Sequence, residues 1–335
     1  MTVRVGVIGV GLIGEDHVRR LTSVVTGASV TAVTDVDAAR AAEVATRYGV
    51  AAVHASGEDV IADPAVDAVV VASWGPTHEQ YVLASIAAGK PVFCEKPLAT
   101  TADACERVLA AETAAGRRLV QVGFMRRYDP GYLALRAAVV DGSIGTPLLA
   151  HMAHRNPIVP PTVTSEAAIN DSVVHEIDVT RWLLGEEITA VMVLAPRRST
   201  FAAGDLQDPM LVLLRTGSGI IVDDELALNV QYGYDIRAEV VGETGQARLP
   251  VPAAMPPDWR VRFADAYDAE FRAWVADVAA GREPGGPGAW DGHAATVVAG
   301  ACVAALRSGT AEWTPVELLD RPAFYRARSQ SGVPA

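Results

Sequence analysis

The sequence predicts an α/β protein: an N-terminal doubly wound parallel sheet, then an α+β domain built on a large open, mostly antiparallel sheet. Three observations predict it. From residue 3 to about 125, short β-branched runs alternate with Ala-rich amphipathic stretches, the pattern of βαβ units. Runs such as Val5 to Ile8 and Val69-Val70-Val71 are apolar on consecutive residues, as strands covered on both faces must be. Between the first strand and the first helix stands Gly9-Val10-Gly11-Leu12-Ile13-Gly14, a GxGxxG turn.

Taken in order, strands are expected at Val3 to Gly9, Ser29 to Asp35, Ala68 to Ser73, Pro91 to Glu95 and Leu119 to Phe124. The intervening helices are Ile13 to Val25, Ala38 to Tyr48, His78 to Ala88 and Asp103 to Ala115, several ended by a C-capping glycine (Gly49, Gly89, Gly116). After residue 125 the strands lengthen: Leu148 to Arg155, Ile188 to Leu194, Met210 to Arg215, Gly219 to Gln231 and Ile236 to Leu249. Hairpin signals at Gly217-Ser218-Gly219 and Gly242 to Gly245 predict antiparallel pairing. Helices are expected near Ser165 to Leu184, Tyr267 to Ala280 and Gly288 to Leu306, and the last ten residues read as a tail. The division falls at 1–124 and 125–335.

The chain has 335 residues, 28 basic and 40 acidic, with net charge −12 and half its residues apolar. That balance suits neither a nucleic-acid backbone nor an anionic membrane surface. No uninterrupted apolar run approaches the roughly 20 residues a bilayer requires, and the start at Met1 lacks the layout of a signal peptide. Cys94, Cys105 and Cys302 are odd in number and lack CxxC spacing, so a reducing cytoplasm is expected and a zinc ribbon is not. His175-Glu176-Ile177-Asp178-Val179 fails HExxH at Val179, and His151 and His154 fall on opposite faces of a strand, so no metal is expected.

Gly9, Gly11 and Gly14, with Leu12 and Ile13 between them, let a pyrophosphate approach the backbone at a helix N-terminus. Asp35 ends the next strand 21 residues after Gly14, near the spacing of a carboxylate that binds the adenosine ribose. Its charge favours NAD over NADP, with Arg40 near enough to leave dual use open. Cys94-Glu95-Lys96-Pro97-Leu98 closes a parallel strand at the edge where such sheets bind ligands, where Glu95 can hold and orient Lys96; an ordinary surface pair is the alternative. On the helix, Asp171, His175, Asp178 and Trp182 fall within a stripe about 60° wide at about 100° per residue, facing one cleft. A carboxylate one turn from a histidine fixes its tautomer and raises its basicity, as a general base requires; a solvated polar stripe is the alternative. Arg126, at the ligand edge, is open to three readings: cofactor, polyol or a domain-interface ion pair.

Together these features resemble the glucose-fructose oxidoreductase and inositol dehydrogenase family. The resemblance runs through Ala72 to Glu79, Val92 to Thr101, Leu119 to Asp129, Ala153 to Pro157, His175 to Val179, Tyr232 to Asp235 and Ala289 to Gly292. It implies a Rossmann domain, a C-terminal sheet used to form a homotetramer, and NAD-dependent oxidation of a cyclitol: myo-inositol or a stereoisomer such as D-chiro-inositol, to its ketone. Lys96, Asp171 and His175 would be catalytic. Arg126, His154, Asn156 and Tyr234, with Lys96, Asp171, His175 and Asp178, would bind the substrate. Ser73, Trp74, His78, Glu95, Lys96 and Arg126 would join the glycine turn and Asp35 along the cofactor. The Pro-rich stretch Pro157 to Ser165 departs from the family pattern and bears on the choice among stereoisomers. Alternatives are a dehydrogenase of scyllo-inositol, an aminocyclitol or a sugar, and a non-catalytic dinucleotide-sensing regulator.

Overall fold

A computed structural model describes residues 2–326, so the expected tail lies largely outside the described residues. Its first unit runs β1 (Val3–Ile8), α1 (Leu12–Ser23), β2 (Ala28–Thr34), α2 (Ala38–Tyr48), β3 (Ala52–Val53), α3 (Gly57–Ala62), β4 (Ala68–Val71), α4 (His78–Ala87), β5 (Val92–Glu95), α5 (Ala102–Ala115) and β6 (Val120–Gly123). The strands pair in parallel in the order β3-β2-β1-β4-β5-β6. That order reverses between β1 and β4, the switch point at which dinucleotides bind. Local chemistry sets the helix ends. Asp37 accepts from the Ala39 and Arg40 amides to start α2, Thr101 caps α5, and Gly49 and Gly116 close them in the left-handed conformation. The short β3 and α3 were not anticipated.

The second unit carries α6 (Pro130–Val140), β7 (Pro147–Arg155), α7 (Ser165–Ala168), α8 (Val174–Leu184), β8 (Ile188–Leu194), β9 (Met210–Thr216), β10 (Ile221–Ala227), β11 (Asp235–Gly242), β12 (Gln246–Arg248) and, near the C-terminus, β13 (Thr314–Pro315). Its sheet is ordered β12-β11-β7-β10-β9-β8-β13, with β7 and β10 parallel and the other pairs antiparallel. Glycine-bearing turns end β9 and split the expected Ile236–Leu249 strand into the β11–β12 hairpin. Burial alternates residue by residue along β9 and β10, so one sheet face is packed and the other open. Helix α6, unforeseen, starts on Asp129, whose side chain accepts from the Gly131 and Tyr132 amides ahead of Pro130 at the first helical position.

The packing units change at the expected 124/125 division, but the chain after it does not stay in one unit. Residues 2–124 share a unit with Tyr267–His293 and with residues 320–326, while Met125–Ala266 and Ala294–Leu319 form the other. The cause is aromatic: Phe271 and Trp274, fully buried, lie 4.4 and 5.9 Å from Phe93 of β5, ring centre to ring centre. Among the described residues one helix, Ala289–Ser308, is long and apolar enough by composition to cross a bilayer, but Asp291, His293 and Arg307 interrupt its apolar run and more than half of its apolar window is buried inside the protein.

Candidate active site

In the first unit the three glycines hold distinct positions. Gly9 is left-handed (φ +87°), and a side chain there would lie 2.5 Å from the Ser73 backbone. At Gly14 a Cβ would lie 2.0 Å from the Gly9 carbonyl oxygen, so helix and turn touch. Gly11, by contrast, faces open space at φ −65° as the N-cap of α1, the room a pyrophosphate requires. Leu12 is exposed and Ile13 half-buried beside it. Asp35 accepts from the Val10 amide (2.7 Å) and the Asp37 amide (3.0 Å), which ties it to the glycine turn. Arg40 donates to the Val10 carbonyl (3.3 Å) and pairs with Glu15 and Glu43. Those two carboxylates occupy the cation a 2′-phosphate would require, and the arrangement fits NAD. The geometry separates two substitutions. Gly11→Ala should leave the unfolding midpoint unchanged and weaken NAD binding about tenfold or more, whereas Gly14→Ala should destabilise by about 1–3 kcal/mol or more through overpacking. Thermal unfolding and NAD titration of the pair check this; equal stability loss in both would contradict it.

At the carboxyl ends of β4 and β5, Ser73 hydrogen-bonds Thr77 (2.7 Å) and Trp74 is 76% exposed. Two expectations change here. His78 is buried, its ring nitrogens facing the Pro97 and Ser73 carbonyls at 2.7 and 3.0 Å, so it straps the two edge loops together. Glu95, the last residue of β5, is buried and accepts from His17 Nε2 of α1 (2.7 Å). Burial pushes the His17 imidazole down, so the neutral ring donates to Glu95. The Glu95 carboxylate also accepts from the Lys96 amide at 3.3 Å, which fixes the backbone that carries Lys96.

In the second unit the expected 165–184 helix is interrupted. Ile169–Val173 forms a π turn, with one residue more than an α turn, between α7 and α8. Asp171 sits exposed within it and His175 follows in the first turn of α8, 7% exposed. The lower part of the stripe does not face an open cleft. Asp178 is buried against Arg127 (Nε to Oδ2, 2.9 Å), and Trp182 lies under Arg136, 4.9 Å from its ring centre.

Of the three readings open for Arg126, the structure shows an ion pair, inside this unit: Arg126 is 1% exposed, bonded to the equally buried Glu176, and lies 5.6 Å over the Phe263 ring. Glu176 Oε2 lies 3.1 Å from His154 Nδ1, and His154 Nε2 is 3.5 Å from the Tyr234 hydroxyl. Burial pushes the Glu176 carboxyl up, but Arg126 and then His154 outweigh it and hold the group ionised. Burial pushes the Tyr234 hydroxyl up to about 12, so it stays a neutral donor. The His154 ring stands 6.5 Å from that of His175 and 5.7 Å from that of Tyr234, so these three are gathered. Asn156, just past β7, is placed by backbone bonds to Ala227 and Val230 and is half-buried. Sequence reasoning missed Glu176 and Arg127: a charge beside His175 on an otherwise apolar helix was the available signal.

Asp224, on the packed face of β10, is fully buried, and neither oxygen has a hydrogen-bond partner among the described residues. Burial and then the Glu176 charge push its carboxyl well up. A carboxyl raised in the folded state holds its proton more tightly there. Its contribution is therefore complete below the unfolded value of about 4 and is lost as pH climbs toward the folded one. Asp224→Asn cannot ionise, so its urea midpoints from about pH 5 to about pH 9 should fall less than those of the parent, by at most about 1.4 kcal/mol per pH unit. Parallel profiles would contradict this.

Comparison with known proteins gives a consistent picture. Residues 3–124 match the oxidoreductase family with an NAD-binding Rossmann fold, and residues 132–248 match the GFO/IDH/MocA C-terminal domain. The chain is 56% identical to inositol 2-dehydrogenase 3 of Saccharopolyspora erythraea, over 98% of this chain and all of that protein. It is 51% identical to an inositol 2-dehydrogenase of Burkholderia vietnamiensis, over 97% of this chain and all of that one. Among solved structures, myo-inositol dehydrogenase from Lactobacillus casei in complex with NAD(H) and myo-inositol superposes with a TM-score of 0.94 at 38% identity, covering 97% of this chain and all of the other.

Proposed function

This chain belongs to the GFO/IDH/MocA family of oxidoreductases, and on that premise we propose that it oxidises one secondary alcohol of an inositol to the ketone with NAD. The substrate is myo-inositol or a close stereoisomer such as D-chiro-inositol, and the myo-inositol product is the 2-keto compound. The observation that carries the reading is the full-length match at 56% identity to a protein named inositol 2-dehydrogenase 3, in a chain that has Lys96, Asp171 and His175.

The reaction removes a hydroxyl proton while hydride leaves the same carbon. NAD, when bound, supplies the hydride acceptor at nicotinamide C4. The turn that Gly9 and Gly14 shape, open at Gly11, would hold its pyrophosphate, and Asp35 would hold its adenosine ribose. His175 takes the hydroxyl proton, with Asp171 supporting its basicity. Lys96 hydrogen-bonds the reacting oxygen, stabilises its growing negative charge and relays the proton. A polyol with hydroxyls all round its ring requires several fixed polar contacts to choose one carbon. His154, Asn156 and Tyr234 supply these directly, while Arg126 and Asp178, committed to Glu176 and Arg127, act by holding the wall in shape. A panel of inositols, aminocyclitols and sugars offered with NAD and NADP, followed by reduced-cofactor absorbance, tests the reading. Fastest turnover of myo-inositol with NAD is expected; binding of NAD with no oxidation of any polyol or sugar would overturn it.

The same reading places the protein in the cytoplasm, in keeping with three buried free thiols, and as a homotetramer. Support for the assembly comes from the open face of the second sheet, where exposed Leu149 and half-buried Leu211, Leu213 and Ile221 alternate with polar pairs such as His151–Asp223. Light scattering should give four chains per particle; a monomer at micromolar concentration would contradict it.

A further inference from the structure

We propose that Glu176 is a positioning residue that sets the tautomer of His154 and thereby makes the His154 ring an acceptor for a substrate hydroxyl. The inference rests on the function proposed above and adds a residue to it.

Three facts carry it. Glu176, 1% exposed, bonds Arg126 through Oε1 and faces His154 Nδ1 through Oε2 at 3.1 Å. Arg126 Nη2 also stands 3.2 Å from the same Nδ1. The far nitrogen, Nε2, points to the Tyr234 hydroxyl side of the ring, and the His175 ring lies 6.5 Å away.

Arginine offers donors alone and an ionised carboxylate accepts alone. A proton on His154 Nδ1 satisfies Glu176 Oε2, at 3.1 Å the nearer of the two groups; a bare Nδ1 would instead accept from Arg126 Nη2 at 3.2 Å, but would set its lone pair against a buried carboxylate oxygen and leave that acceptor unsatisfied. The neutral ring therefore carries its proton on Nδ1 and presents a lone pair at Nε2. Beside His175, which takes a proton in the reaction, such an acceptor recognises a neighbouring hydroxyl that donates. It disfavours a ring position lacking one.

Glu176→Gln reverses this. Arg126, an obligate donor, takes the amide oxygen, which leaves the amide NH₂ facing Nδ1. Nδ1 must then accept, and the proton moves to Nε2. The volume is nearly unchanged, yet the wall now offers a donor where it offered an acceptor.

The first test uses the unaltered protein. Nitrogen NMR of the imidazoles, with His154 assigned by the signal lost in His154→Gln, should show a protonated Nδ1 and a pyridine-like Nε2 at neutral pH. A protonated Nε2 overturns the proposal, whatever the variants do. The second test is kinetic: Glu176→Gln should raise KM for myo-inositol about tenfold with kcat changed far less and NAD affinity unchanged, and its His154 signals should exchange character. Equal loss of kcat and NAD affinity, or a retained tautomer with altered KM, marks a merely structural role and overturns it. If the parent protein oxidises no inositol, the functional reading fails while the NMR result still decides the tautomer.

Discussion

Lys96→Ala is expected to lower kcat for myo-inositol by about 10³-fold or more while the protein still binds NAD. Two physical contributions add up to that loss. A hydrogen-bond donor aimed at developing negative charge on oxygen is worth about 10²–10³ in rate, and a positioned proton-transfer group about 10²–10⁴. Lys96 follows β5 on a backbone pinned by the Glu95–His17 pair, so its removal deletes a side chain without disturbing that support. Lys96→Arg should not restore activity, because a guanidinium does not release its proton near neutral pH. Stopped-flow cofactor reduction and a fluorescence titration with NAD separate the two effects. Undiminished turnover would remove Lys96 from the mechanism, and loss of NAD binding in step with turnover would recast it as a cofactor ligand.

Arg126→Leu should destabilise the protein by about 3–5 kcal/mol, because it strands the Glu176 charge in the interior. Both side chains are 1% exposed, so water cannot compensate. Changing both, Arg126→Leu with Glu176→Leu, should recover most of the loss, since well-packed apolar residues replace a buried ion pair at little cost. Urea unfolding of the two single variants and the double variant measures this. The experiment also distinguishes the interior placement from the expectation that Arg126 contacts the cofactor: that expectation predicts weakened NAD binding at unchanged stability.

Much of the fold was legible because its signals are local. Val69 to Val71 read as a strand buried on both faces, and Gly49 and Gly116 marked helix ends by a conformation that glycine favours. The return of Phe271 and Trp274 to the first unit was not, because an apolar helix face says that it will be buried but not against what. For α6 the signal was present and unread: Asp129 followed by Pro130 is a helix start.

The candidate site divides the same way. Gly9, Gly11, Gly14 and Asp35 form a short-range motif, and the structure assigns each glycine a different steric duty. Charged residues fared worse because their partners lie far along the chain. Arg126 meets Glu176 50 residues on, Arg127 meets Asp178 51 residues on, and Glu95 meets His17 78 residues back. Spacing along a regular helix also failed at Ile169–Val173, where no residue type announces a π turn, so the stripe expected from Asp171 to Trp182 bends at its upper end and is covered by Arg127 and Arg136 at its lower end.

The central claim is hydride transfer from an inositol ring carbon to NAD, and following the label tests it most directly. The protein is given myo-inositol deuterated at carbon 2 together with NAD, and the reduced cofactor is analysed by mass spectrometry and proton NMR. The account predicts one deuterium per reduced cofactor, at nicotinamide C4, with the ketone formed in equal amount. Reduced cofactor without deuterium, or no reduced cofactor from any inositol, would contradict it.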